Sequence, residues 1–82
     1  MSIDFCWRSL DALPPGQPGR VVAIGGGRGL ALRLRSLGIR PGAVVRTVAQ
    51  GPWRGPVLLE VDGCRVALGR GIARRIFVQP LP

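Results

Sequence analysis

The chain has 82 residues, 46% of them apolar, which allows one domain with one modest core and is too apolar for a disordered tail. Twelve arginines, with no lysine or histidine, face only Asp4, Asp11, Glu60 and Asp62, for a net charge of +8. That balance favours an acidic partner, whether nucleic acid, an anionic membrane leaflet or an acidic protein face; no stretch approaches the roughly 18–20 uninterrupted apolar residues of a spanning helix.

The amino terminus, Met1 to Arg8, lacks the basic start and apolar run of a secretory signal, so export is not expected. Leu10 to Gly19 begins apolar and ends in a cluster of prolines and glycines, which reads as a lead-in and a turn. Arg20-Val21-Val22-Ala23-Ile24, rich in β-branched residues and flanked by glycine, predicts the first strand. Gly25-Gly26-Gly27-Arg28-Gly29 breaks it, and Leu30, Leu34 and Leu37 then recur at helical spacing, which predicts one short amphipathic helix with those leucines turned inward. Gly38 is placed to take the left-handed conformation that ends it, with Ile39 packing back on Leu34. Arg40-Pro41-Gly42-Ala43 has the signature of a type II turn.

Ala43 to Ala49 predicts the second strand, followed by a loop from Gln50 to Pro56 in which Trp53 and Arg54 stand between two Gly/Pro pairs. Val57 to Val61 and Cys64 to Leu68 alternate on either side of Asp62-Gly63, a dipeptide suited to the two positive-φ positions of a tight hairpin. Gly69 to Arg75 is too short and glycine-rich for a stable helix and predicts a single 3₁₀-like turn. Ile76-Phe77-Val78 predicts a last strand, ended by Pro80 and Pro82. Five short strands, tight turns and one small helix make a mainly β protein, a small barrel that closes its edges on itself.

In that order the elements carry a resemblance. Leu13-Pro14-Pro15-Gly16, the glycine-rich break after Ile24, Arg33-Leu34 with Leu37-Gly38-Ile39, Pro41-Gly42-Ala43-Val44-Val45, and the ending Val66-Ala67-Leu68 with Ala73-Arg74-Arg75-Ile76-Phe77-Val78 resemble the FeoA family from about Leu10 to Gln79. The resemblance implies one domain over residues 1–82 with its core at about 10–79, folded as an SH3-like five-stranded β-barrel with one short α-helix. It further implies a cytoplasmic accessory role in bacterial ferrous iron uptake, at the inner face of the membrane, with the transporter FeoB as protein partner. Similar domains end iron-dependent repressors, but no helix-turn-helix precedes this one, so a free-standing protein is expected. The chain departs from the family pattern at Gly69, where members carry arginine, and at Gly55, where they often carry aspartate.

The residues expected to meet a partner are Arg28, Arg33, Arg35 and Arg40 in and around the helix, and Trp53 with Arg54 at the loop tip. Tryptophan and arginine are enriched at binding hot spots; equally, Trp53 can fold back over the barrel mouth, and an arginine-rich helix face can be merely solvated. Arg70, Arg74 and Arg75 form a second basic group. The glycine-rich break lacks the third glycine of a dinucleotide fingerprint and the lysine of a P-loop, so no nucleotide or other cofactor is expected. Without histidine or a C-x-x-C pair no zinc site is expected, and Cys64, distant from Cys6 and reduced, is expected as a small buried hydrophobe. Scattered acids and the missing histidine argue against an enzyme. The competing function is a basic β-barrel that binds RNA or single-stranded nucleic acid, disfavoured because Phe5, Trp7, Trp53 and Phe77 are the only rings available for stacking.

Overall fold

A computed structural model of the chain describes residues 7–50 and 55–82. The five expected strands are all present, joined by a sixth of two residues. In chain order the elements are β1 (Arg8–Ser9), a 3₁₀ turn (Leu10–Ala12), β2 (Pro18–Ile24), α1 (Arg28–Ser36), β3 (Val44–Gln50), β4 (Val57–Val61), β5 (Cys64–Leu68), α2 (Arg70–Ala73) and β6 (Ile76–Pro80). The strands form one sheet in the order β1-β6-β2-β3-β4-β5, with every pairing antiparallel.

The turns form where the backbone demands them. Asp62 and Gly63 both have positive φ, 51° and 79°, and Val61 lies opposite Cys64, which makes the tight hairpin. Gly42, at φ 96°, closes the type II turn with Ala43 N donating to Arg40 O at 2.9 Å. Gly38, at φ 86°, ends α1: its N–H donates to Arg35 O at 3.0 Å and that of Ile39 to Leu34 O at 2.9 Å, the paired bonds of a Schellman stop.

The sheet curls. Leu68 of β5, at one end of the strand order, shares a single buried cluster with Val78 of β6 and with Leu10, which directly follows β1 at the other end. α2 packs against the 3₁₀ turn and places Ala73 in that cluster, so the short helix spans the gap between the outer strands. Leu34 and Ile39 cap the cluster from the side of α1. This is the small SH3-like fold that the resemblance implies, with six strands in place of the expected five.

Four local expectations change. β2 begins earlier, at Pro18-Gly19, because proline is tolerated as a first strand residue and because Gly19 marks a close crossing: a Cβ there would lie 3.2 Å from Leu13 and Val78 side chains. β6 continues through Pro80, opposite Gly19, since a proline at the end of a strand forfeits no needed donor. Residues 70–73 form one α turn rather than a 3₁₀ turn, with Ala73 N and Arg74 N donating back four residues at 3.0 Å. Cys64 is exposed, not buried, because it opens β5 at the hairpin tip, beyond the reach of the core; Cys6 lies outside the described residues.

One buried polar side chain ties the lead-in to the barrel. Thr47 of β3 is fully buried, and its hydroxyl donates to Pro14 O at 2.9 Å, with Leu13 O at 3.3 Å. Its own carbonyl accepts from Gly16 N at 2.6 Å. Thr47→Val keeps the shape and removes the hydroxyl's bond while Pro14 O retains Gln17 N at 3.1 Å, so the substitution is expected to lower unfolding stability by about 0.5–1.5 kcal/mol in urea titration.

Candidate functional site: the arginine-rimmed groove beside α1

α1 is launched by a glycine turn. Gly25 N donates to Arg75 O at 2.7 Å, and Gly26 and Gly27 follow at φ 95° and 93°. Arg75 lies over Gly26 so closely that a Cβ there would come within 2.9 Å of Arg75 Cδ and of Leu30 Cδ2. The second basic group thus reaches the glycine-rich break, a contact between distant segments that the sequence does not signal.

No side chain caps the start of α1, and its first turn has no acidic residue. Arg33 and Arg35 sit in its last turn, where positive charge complements the carboxyl end of the helix. Arg28 is at the opposite end and adds its charge to exposed amides that already carry partial positive charge.

At 100° per residue, positions 28, 31, 32 and 35 share one stripe of α1, and 30, 34 and 37 share the opposite one. Leu34 is buried and Leu30 packs against the core. Leu37 is corrected: as the C-cap residue it is 46% exposed, and Ile39 takes the buried place beyond the stop. The stripe on the outer side carries Leu32, 57% exposed, which the sequence reading passed over. Its signal was available: Leu32 falls two residues from both Leu30 and Leu34 and therefore cannot share their face.

Leu32, Ala31, Ile24 and Pro41 line a groove of about 390 Å³ between α1, the end of β2 and the turn that follows the helix, with Arg28, Arg35 and Arg40 around it. Arg35, Arg40 and Pro41 continue into an adjoining hollow of about 750 Å³ that has Asp62 in its wall. Arg33 is separated from this set. It lines a second groove of about 370 Å³ on the other side of the helix, with Leu30, Leu37, Leu68 and Ile72. Trp53 and Arg54 lie outside the described residues. Among the described residues no hydrogen bond or ion pair engages the guanidinium groups of Arg28, Arg35 or Arg40.

Gly69, a departure from the family pattern, has φ −59° and open space where a Cβ would stand. The fold therefore does not require glycine there. Gly69→Arg is expected to shift stability by less than about 0.5 kcal/mol, a result that thermal unfolding checks.

Among the described residues no group of three or more His, Cys, Asp or Glu side chains comes together to hold a metal ion, and no helix is long and apolar enough to cross a membrane. What the geometry does build is a small curled sheet whose capping helix borders an apolar groove lined by three arginines, an SH3-like domain. The residues from 8 to 80 match the family model of the FeoA domain, and the chain belongs to the FeoA family. It is 36% identical over 59 residues to a putative Fe(2+) transport protein A of Methanocaldococcus jannaschii, covering 72% of this chain and 70% of that one. A crystal structure of an iron uptake regulatory protein (FeoA) superposes with a TM-score of 0.84 at 35% identity, over 94% of this chain and all of the other. A manganese-dependent transcriptional repressor superposes at 0.82 with 28% identity over 99% of this chain, but the match spans only 45% of the repressor.

Proposed function

We propose that the chain is a non-catalytic, cytoplasmic accessory module of ferrous iron uptake that docks on the transporter FeoB at the inner face of the membrane and regulates or assembles it. The observation that carries this reading is the outer stripe of α1, where an exposed leucine stands among arginines that no described residue neutralises. Leaving both in water gains nothing for the fold, whereas an interface uses an apolar centre with an arginine rim. The iron-transport and iron-uptake names of the relatives supply the process. Among the described residues the exposed rings are Trp7 and Phe77, and neither lines the groove, which gives single-stranded nucleic acid no described ring to stack on there.

Calorimetric titration of the folded, monodisperse chain into reconstituted transporter tests the reading. Saturable binding that weakens as salt rises is expected; no heat of binding at any salt concentration would contradict it.

A further inference from the structure

Resting on that docking reading, we propose that the groove beside α1 takes an acidic amphipathic helix of the partner protein, with carboxylates on Arg28 and Arg35 and an apolar side chain against Leu32. Arg28 and Arg35 are seven residues apart, about 10 Å along the axis at 1.5 Å per residue. A second helix laid along α1 presents side chains at the same interval, so glutamates seven residues apart meet both guanidinium groups, and the leucines between them meet the apolar floor of Ile24, Ala31 and Leu32.

Charge selects the occupant. Among the described residues the acids are Asp11, Glu60 and Asp62, and Asp62 alone reaches this side, in the wall of the adjoining hollow. Arg40, on the turn that closes the groove, adds a third positive group. A second copy of this chain, at +8, brings like charge and is disfavoured. The groove's apolar floor distinguishes a protein segment from a headgroup or free phosphate, which would use the arginines and leave Leu32 in water. A bidentate guanidinium fits a carboxylate well, and closing the groove over the pair removes the water that otherwise weakens it.

The probe is a short labelled peptide with glutamates seven residues apart and two leucines between them, run beside its glutamine counterpart and beside vesicles of phosphatidylglycerol. Fluorescence anisotropy is expected to show saturable binding of the glutamate peptide and at least tenfold weaker binding of the glutamine peptide. The doubly reversed variant Arg28→Glu, Arg35→Glu is expected to lose at least tenfold, and a peptide with lysine in place of glutamate to restore it. Arg35→Gln gives a milder loss without placing an acid at the carboxyl end of α1, and circular dichroism checks that each variant folds. Arg74→Glu, at the end of α2, should bind within about twofold of the unaltered chain.

Equal affinity for the glutamate and glutamine peptides, absence of peptide binding, or failure of the lysine peptide to restore affinity would each overturn the proposal; binding to vesicles without peptide binding would assign the groove to lipid instead. The transporter separates the two levels. If the doubly reversed variant binds reconstituted FeoB as tightly as the unaltered chain does, docking stands and this groove is not its contact; if the unaltered chain does not bind the transporter, the docking reading itself fails.

Discussion

Ile39→Ala is expected to lower the stability of the domain by about 2–5 kcal/mol, the range for removing a fully buried large aliphatic side chain. Ile39 has no exposed surface and shares the core cluster with Leu34. Its amide closes the Schellman stop on Leu34 O, so the residue fixes both the helix end and the barrel that the helix caps. An 82-residue domain has roughly 4–12 kcal/mol in total, at about 0.05–0.15 kcal/mol per residue, and a loss of this size removes a large share of it. The melting temperature should fall by about 4–8 °C for each kcal/mol lost. A loss below about 1 kcal/mol would mean that α1 is not anchored through Ile39.

The second large effect concerns the start of the same helix. Gly27 has φ 93° and ψ 171°, a region that side chains scarcely enter, while nothing lies within 4 Å of where its Cβ would be. Gly27→Ala therefore meets backbone strain alone, about 1–3 kcal/mol. Gly26→Ala meets positive φ and also crowding, with Arg75 Cδ and Leu30 Cδ2 at 2.9 Å and Arg75 Nη1 at 3.0 Å. The arginine can swing away; Leu30, packed against the core, cannot do so without cost. Gly26→Ala should therefore exceed Gly27→Ala by about 1 kcal/mol or more, as urea titration of the two variants would show. Equal losses would indicate that Leu30 and Arg75 relax freely.

These positions also explain what the sequence made legible. Gly38, Gly42 and the Asp62-Gly63 pair each sit where φ must be positive, and such a requirement leaves a mark at a single residue. The strands from Arg20 onward were readable for a similar reason, since alternation and β-branching are local properties. β1 was not: two residues have no period, and Arg8 and Ser9 become a strand only because Val78 and Phe77 lie opposite. α2 was read as a 3₁₀ turn because its glycines disfavour helix, and packing of Ala73 into the core outweighs that preference.

At the candidate site, the arginines expected to meet a partner do not all share one groove. Arg28, Arg35 and Arg40 converge on one groove and Arg33 faces another. Helical geometry separates Arg33 from Arg35 by 200°, so this division was present in the spacing. The same geometry would have found Leu32. The approach of Arg75 to Gly26 was beyond reach, because it depends on how β6 pairs with β2.

Hydrogen exchange of the chain with and without reconstituted FeoB tests most directly whether α1 is the docking element. Added protection is expected in residues 24–43, from the end of β2 through α1 to the turn after it. Protection confined to β1 and β6, with α1 exchanging as in the free chain, would contradict it.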